Sequence, residues 1–303
     1  MSQSRKQDLW HGYDAVRDRP RLRRFLVEAL AYPQLVWQDR SLVRNFYRRE
    51  LLGRFRGSIF GLLWVLIHPI FLFATYYLVF GVMFNQRAPN GLPEMWYPLY
   101  LFTGVIAWTA FAESTARCAS LVVENGNLIK KVSFPAQLLP LHILGVNTLV
   151  YGIGVLCYLI VAVAMSFPLP GTAVIALPVV LFVQLLFTLG ASLLLGAVHV
   201  FFRDVAQIWP ILLNFWFFAT PIFWYPGMIH DMDSLLPLLE WNPMYHVMLA
   251  HRWALGMPTV SGSFLGTGEV LGLAMTGLIP ALITFFLGFV VFRSLQHRFA
   301  DEV

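Results

Sequence analysis

Hydrophobic residues in this 303-residue chain fall into six long runs, separated by short polar or Pro- and Gly-containing segments. A bilayer core about 30 Å thick is crossed by about 20 apolar helical residues, and these runs approach or exceed that length. The pattern predicts an all-α polytopic membrane protein with six transmembrane helices, at residues 58–84, 97–121, 138–167, 172–200, 206–225 and 266–292. The fifth is the shortest and contains Pro210, Asn214 and Pro221.

The composition indicates that lipid is the main solvent of this chain. Hydrophobic residues make up 58% of it and charged residues 12%, whereas soluble proteins carry about 25% charged residues. So few charges cannot cover a water-exposed surface, which excludes a soluble enzyme, a disordered chain and a secreted disulfide scaffold. Cys118 and Cys157 both fall in apolar runs and imply no disulfide framework.

Positive charge is concentrated in the N-terminal part of the sequence. Residues 1–57 contain 13 of the 21 basic residues and 6 of the 16 acidic residues. Beside so apolar a remainder, this segment favours contact with anionic membrane lipid over nucleic acid, and we predict no nucleic-acid partner. Alternate loops between the six spans hold 19 and 2 basic residues. The positive-inside rule therefore predicts that both termini are cytoplasmic.

The pattern divides the chain into an interfacial segment at 1–57, a six-span domain at 58–292 and a cytoplasmic tail at 293–303. In the first segment, apolar residues at i, i+3, i+4 spacing predict amphipathic helices in the inner membrane interface, divided at Pro33; they are Leu22, Phe25, Leu26, Ala29 and Leu30. Residues 226–265 are predicted to lie outside and to form two short re-entrant-like helices that break at Asn242-Pro243. A plain outer loop is the alternative.

Motifs for nucleotide binding and hydrolysis are absent from the sequence. It has three lysines, Lys6, Lys130 and Lys131, and none follows a glycine, so the chain has no P-loop of its own. It also lacks G-x-S-x-G, H-E-x-x-H and paired-cysteine metal motifs. We therefore predict a chain that is not an enzyme and that binds no cofactor or metal itself.

One acidic residue, Glu113, lies deep inside a predicted span. Such residues are candidates for proton relays or coupling carboxylates. Arg117 follows four residues later, in the order that favours a helical ion pair. We predict an intramembrane Glu113–Arg117 pair, and a proton-coupled transporter that uses Glu113 is the alternative.

The segment at 124–135 lies between the second and third spans, on the predicted cytoplasmic side. Asn127 is predicted to cap a short helix that ends before Pro135. This helix would expose a surface for a cytosolic partner, formed by Leu128, Ile129, Lys130 and Lys131. An ordinary connector is the alternative. Arg203 and Asp204, after the fourth span, are either an interfacial end or a second partner contact.

Aromatic residues make up 16% of the chain and cluster in the first and fifth spans. Their ring faces can stack on sugar rings and let a polymer slide without fixed hydrogen bonds. We predict a channel lining formed by Trp64, Phe71, Tyr76, Tyr77, Trp209, Phe215 and Trp216. Rings that face lipid are the alternative.

Four motifs in this order resemble those of polysaccharide-export ABC transporter permeases. They are Arg49-Glu50-Leu51 with Arg54-Phe55-Arg56-Gly57-Ser58, Asn127-Leu128-Ile129-Lys130-Lys131 with Phe134-Pro135, Phe202-Arg203-Asp204-Val205, and Asn242-Pro243-Met244 with Arg252. The resemblance extends from about residue 40 to the tail. Six spans with both ends inside are also typical of that family.

The resemblance implies a transport subunit of the bacterial inner membrane that works as a homodimer above two copies of a separate P-loop ATPase, which would bind ATP and Mg²⁺. The substrate would be a polyprenyl-pyrophosphate-linked glycan such as O antigen or capsule. ATPase coupling is expected at Asn127, Leu128, Ile129, Lys130, Lys131, Phe134, Arg203 and Asp204. Arginines at the channel mouth are expected to meet the pyrophosphate; they are Arg48, Arg49, Arg54 and Arg56.

Two other functions remain open from the sequence. A related permease could export a drug or a lipid. A membrane enzyme acting on polyprenyl phosphate would need paired acids or a His/Arg/Asp constellation at the interface, and the sequence offers no convincing one.

Overall fold

The computed structural model describes residues 22–54, 57, 59–89, 91–131, 135–228 and 232–303, and every regular element in these ranges is a helix. The α-helices are α1 (Leu22–Leu30), α2 (Tyr32–Gln38), α3 (Arg40–Arg54), α4 (Trp64–Tyr76), α5 (Trp96–Ala119), α6 (Leu121–Glu124), α7 (Gly126–Lys131), α8 (Leu139–Ala164), α9 (Leu177–Phe201), α10 (Val205–Ala219), α11 (Met232–Glu240), α12 (Pro243–Ala254), α13 (Thr267–Leu295) and α14 (Phe299–Glu302). A π-helix, Tyr77–Met83, continues α4, and short 3₁₀ turns cover Gly61–Leu63, Ala136–Leu138, Thr172–Ala176, Pro226–Met228 and Gln296–Arg298.

Four helical stretches in the described ranges are long and apolar enough to cross a bilayer. They are Trp64–Met83, Ala136–Ala164, Thr172–Phe201 and Thr267–Glu302. The other two predicted spans correspond to α5, which has 24 residues and carries Glu113, and to α10, which has 15 residues. At 1.5 Å per residue α10 is about 22 Å long, shorter than a bilayer core. The structure is thus the predicted all-helical membrane protein, while the six-span count exceeds what length and hydropathy support.

The fifth predicted span ends earlier than expected. We predicted 206–225, whereas α10 ends at Ala219 and Thr220 is extended, with φ −100° and ψ 137°. Proline disfavours the helical conformation of the residue before it, so Pro221 explains this end.

The long helices run back and forth between two ends of the molecule, which we call the basic end and the far end. The basic end holds α3, α6, α7 and α14, together with a core that includes Leu121, Leu139, Leu193 and Phe299. The far end holds α12 and a core that includes Trp96, Tyr158, Ile222 and Met244. Successive connecting segments therefore lie at alternate ends of the molecule, which is the arrangement expected of helices that cross a bilayer in turn.

The N-terminal helices are packed onto the bundle. We predicted two amphipathic pieces divided at Pro33; the described residues form three helices, and Pro33 lies in the first turn of α2, where its missing N–H is tolerated. Tyr32 is buried against Phe285 and Phe289 of α13, and its hydroxyl donates to the Gln137 carbonyl at 2.9 Å. Glu28 pairs with Arg293 at 2.7 Å.

Helices α9 and α13 approach each other most closely at two glycines. A Cβ added to Gly288 would overlap the carbonyl oxygen of Gly190, and one added to Gly190 would overlap the backbone of Phe285. Only residues without a side chain allow this backbone contact, which is a common way to join helices in membranes.

Gly288→Ala should therefore force α9 and α13 apart. We expect the free energy of unfolding to fall by about 1–3 kcal/mol, the usual cost of overpacking, measured as thermal stability in detergent. Gly272→Ala is the matched control on the same helix, because a Cβ there meets no atom within 4 Å; it should be neutral or slightly stabilising. Equal loss of stability in both variants would contradict the close contact.

Candidate functional site

The predicted coupling segment forms a small platform at the basic end. Helix α7 packs against α14. Gly126 is buried so close to Val303 that a Cβ added to the glycine would lie 3.0 Å from the Cβ of Val303. Asn127 and Lys130 are exposed, whereas Leu128 and Ile129 are half-buried. Ile129 belongs to the apolar layer that also contains Val303. The platform therefore presents polar side chains outward and uses its aliphatic residues to hold its position.

Two details of the coupling segment differ from the prediction. Helix α7 begins at Gly126, so Asn127 lies inside the helix and does not cap it. Because Ile129 faces inward, the expected fully exposed surface is reduced. Phe134 lies outside the described residues, and Lys131 is described only as the last residue of the helix.

The second predicted contact lies at the same end. Arg203 and Asp204 are exposed in the turn between α9 and α10. The Arg203 guanidinium is 3.5 Å from the carbonyl of Glu302 in α14. Helix α14 thus touches both predicted coupling regions, on α7 and in this turn.

The predicted Glu113–Arg117 pair is wrong. Glu113 pairs with Arg54, at 2.5 Å between Oε2 and Nη2, and Arg117 pairs with Glu124, at 2.6 Å between Nη1 and Oε1. The end of α3 brings Arg54 beside α5, and an ion pair to a neighbouring helix replaces the i, i+4 pair. His68 of α4 is a further neighbour, with Nδ1 3.6 Å from Oε1 of Glu113.

Arg117 and Glu124 tie the end of α5 to α6. Partial burial raises the pKa of Glu124. The hydrogen bonds from Arg117 and Ser120 act in the opposite direction, and the net pKa lies below its ordinary value. The carboxylate therefore stays charged at neutral pH. Its bridge to Arg117 holds α6, the helix that precedes the coupling platform, against the end of α5.

The predicted arginine cluster is divided by the structure. Arg48 and Arg49 are exposed on α3, and Arg49 lies over the Phe46 ring at 4.7 Å. Arg54 instead enters the cleft between α3, α5 and α8, where Nη1 donates to Asn147 Oδ1 at 2.8 Å. Arg56 lies outside the described residues.

The predicted aromatic lining separates into two groups. Four rings are exposed at the surface; they are Trp64, Phe71, Tyr77 and Phe215. The other three are half-buried and held from inside: Trp209 Nε1 donates to Thr115 Oγ1 at 3.0 Å, Trp216 Nε1 donates to Asn242 Oδ1 at 2.9 Å, and Tyr76 stacks on Phe217 at 5.3 Å.

At the far end, Asn242 and Arg252 fix the turn that follows α10. The predicted helix break is present: α11 ends at Glu240, and Asn242 Oδ1 caps α12 by accepting from the Met244 N–H at 3.0 Å. Arg252 is 1% exposed and donates to the carbonyls of Tyr100, Pro221 and Ile222 at 3.3, 2.6 and 3.0 Å. Its guanidinium lies 3.5 Å from the centre of the Tyr100 ring.

A buried chain of hydrogen bonds joins α12 to three other helices. His251 Nδ1 is 2.7 Å from the Tyr151 hydroxyl, His251 Nε2 is 2.5 Å from Gln184 Oε1, and Gln184 Nε2 donates to the Ala107 carbonyl at 2.7 Å. Burial lowers the pKa of His251 to about 3. The imidazole is therefore neutral. Because Gln184 turns its amide oxygen, which can only accept, toward His251, the ring proton lies on Nε2 and the Tyr151 hydroxyl donates to Nδ1.

Sequence reasoning missed several members of these sites. Asn147 is an isolated amide in an apolar span, which is itself a usable signal. Glu124 stands seven residues after Arg117, a spacing that returns to the same face of a helix. His68 and Gln184 offered only the general rule that polar residues inside a span have partners.

Comparison with known proteins shows related membrane subunits. A family model described as ABC-2 type transporter matches residues 42–256. The chain is 34% identical over 217 residues to the O-antigen export system permease protein RfbA of Myxococcus xanthus, covering 72% of this chain and 81% of that protein. It is 27% identical over 257 residues to a protein of the same name from Klebsiella pneumoniae, covering 84% and 91%.

A polysialic acid transport protein, KpsM of Escherichia coli, is 25% identical over 259 residues and is covered to 93%. These findings agree with the family resemblance drawn from the four motifs. Since the family model covers more than half of the sequence, this chain belongs to the ABC-2 type transporter family.

Proposed function

We propose that this chain is the permease subunit of an ATP-driven exporter that moves a lipid-linked polysaccharide across the bacterial inner membrane. The observation that carries the proposal is the 34% identity, over 72% of the chain, to a protein named as an O-antigen export permease. O antigen and capsule are both within the proposed substrate class, because KpsM is named for polysialic acid transport.

The proposed topology has six spans with both termini in the cytoplasm. The four long apolar helices count as four of these spans, and α5 and α10 are the other two. Helix α10 is short, and the turn after Ala219 continues its path toward the far end. The basic end is then cytoplasmic, and α11 and α12 form the outer, re-entrant-like segment. The 19-to-2 distribution of basic residues between alternate loops supports this orientation.

ATP hydrolysis is assigned to a separate subunit that binds ATP and Mg²⁺. Two copies would dock beneath two copies of this chain, at the platform formed by α7 and α14. Lys130 is exposed there and supplies positive charge toward the cytosol. The sequence has no P-loop, so this division of labour requires a partner.

The glycan path is proposed to follow the exposed face of α10. Phe215 is 74% exposed, and Gln207 and Asn214 are exposed on the same face, while Leu213 and Phe217 are buried on the other. An amide that faces acyl chains costs several kcal/mol. This face therefore suits a water-filled path between two copies, where aromatic rings and amides contact sugars.

Phe215→Ala should lower glycan export by about fivefold with little loss of stability, because a ring that stacks on sugar contributes about 1 kcal/mol. Export is measured as surface glycan bound by a lectin, and stability as melting temperature in detergent. Phe182→Ala is the control: Phe182 is 59% exposed on α9 and is proposed to face lipid. Normal export with Phe215→Ala would remove this ring from the path.

Purification tests the division into subunits. A P-loop ATPase should co-purify with the chain in a mild detergent, and failure to recover one would contradict both glycan export and the drug- or lipid-export alternative.

Proton coupling through Glu113 is disfavoured because Arg54 already neutralises this carboxylate at 2.5 Å.

A further inference from the structure

The cleft between α3, α5 and α8 has the size and chemistry of a ligand site. Its volume is about 540 Å³, within the range of small-molecule pockets. Its polar lining comprises Glu50, Arg54, Glu113, Arg117, Ser120 and Asn147. It lies at the basic end, where the first span begins.

Arg54 is aimed into this cleft by a buried scaffold. Asn147 is 3% exposed, accepts from Arg54 Nη1 through Oδ1, and donates from Nδ2 to Ser114 Oγ at 2.9 Å. The amide therefore fixes the direction of the guanidinium. The other nitrogen of the fork, Nη2, contacts the Glu113 carboxylate.

The Arg54–Glu113 contact is well suited to exchange. The two side chains are 34% and 30% exposed, so solvent screens the pair and its net strength is small. A carboxylate and a phosphate present the same acceptor geometry to a guanidinium fork, and the phosphate carries more charge. A phosphate that enters the cleft can therefore replace Glu113 on Arg54.

Arg117 in the cleft and His68 beside Glu113 support this assignment. Arg117 is already bonded to Glu124 at 2.6 Å, so it does not compete for Glu113. His68 lies 3.6 Å from the other oxygen of Glu113, close enough to become its hydrogen-bond donor once Arg54 is released. The displaced carboxylate then keeps a polar neighbour.

We propose that the Arg54–Glu113 ion pair is a latch that a diphosphate headgroup opens. In the empty cleft Glu113 occupies the phosphate position on Arg54; on loading, the diphosphate takes that position while Asn147 keeps the guanidinium in place. The proposal rests on the proposed export of a lipid-linked polysaccharide, with the diphosphate linkage that the family resemblance implies, and adds the competing carboxylate. By competing for Arg54, Glu113 weakens the affinity of the cleft for the diphosphate.

The test measures binding of farnesyl diphosphate to the full chain with its ATPase in phosphatidylcholine nanodiscs. Glu113→Gln should bind about fivefold more tightly than wild type, because the competing charge is removed. Arg54→Gln should bind at least about tenfold more weakly. Glu94→Gln removes an exposed carboxylate at the far end and should leave affinity unchanged. Farnesol should not bind, and inorganic pyrophosphate should compete.

Equal or weaker binding by Glu113→Gln would overturn the latch, as would unchanged binding by Arg54→Gln. If Glu113→Gln fails to fold, Glu113→Asp keeps the charge but withdraws it by one methylene, and it should bind more tightly than wild type by less than about fivefold. Surface glycan in cells that carry the wild-type chain tests export separately. A wild-type chain that exports glycan, with a Glu113→Gln variant that binds no more tightly, removes the latch alone.

Discussion

Arg252→Met is expected to lower the free energy of unfolding by about 3 kcal/mol or more and to abolish export. The side chain donates to three backbone carbonyls in the turn after α10 and beside it in α5. Methionine fills much of the volume but donates nothing, and each buried carbonyl left unpaired costs about 1–3 kcal/mol. Removing a buried cation offsets part of this cost, because burial already lowers the pKa of Arg252.

Two other variants sharpen this prediction. Gly104→Ala would place a Cβ against the Arg252 guanidinium, so it should destabilise the same turn without removing any donor. Arg87→Met changes an exposed arginine in a loop at the far end and should alter stability by no more than about 0.5 kcal/mol. Thermal unfolding in detergent measures all three. Similar melting temperatures for Arg252→Met and Arg87→Met would contradict the role of Arg252.

The double variant Lys130→Glu/Lys131→Glu should reduce transport-linked ATP turnover by more than about tenfold while leaving membrane insertion intact. Helix α7 presents the exposed Lys130 at the basic end, and reversing two charges replaces attraction to a partner by repulsion. Positions 130 and 131 form the C-terminal end of α7, where glutamates interact unfavourably with the helix dipole, and this weakens the platform further.

Substrate-stimulated ATP hydrolysis by the reconstituted complex measures this effect. Arg87→Glu reverses a charge at the far end and should hydrolyse ATP at the wild-type rate. Lys130→Gln/Lys131→Gln removes charge without reversing it, so its rate of ATP hydrolysis should lie between that of wild type and that of the double glutamate variant. Wild-type turnover by the double glutamate variant would exclude α7 as the coupling element.

Sequence periodicity predicted the helical architecture because apolar runs of this length leave few alternatives in lipid. Asn242-Pro243 predicted the break before α12 because both residues act locally, one as a cap and one in the first helical turn. The family resemblance was also available from the sequence, since its motifs keep their order along the chain.

Long-range partners were not available from the sequence. Glu113 and Arg117 satisfy the i, i+4 rule, yet Glu113 bonds to Arg54, which is 59 residues away in sequence and reaches it only through the packing of α3. Arg117 is then left to bond with Glu124, seven residues further along the chain. The same holds for Arg252, because the carbonyls of Pro221 and Ile222 become reachable only when the chain turns after Ala219, and that of Tyr100 lies on α5. Local rules describe an isolated helix, whereas these contacts depend on its neighbours.

ATP-dependent movement of a lipid-linked glycan in proteoliposomes tests the central claim most directly. The vesicles contain this chain, its P-loop ATPase and polyprenyl-diphosphate-linked glycan, and a lectin on the side opposite the ATPase reports the glycan that has crossed. The proposed function predicts lectin binding only when ATP and both proteins are present, with no effect of a proton gradient. Glycan movement driven by a proton gradient alone, or no movement with ATP, would contradict it.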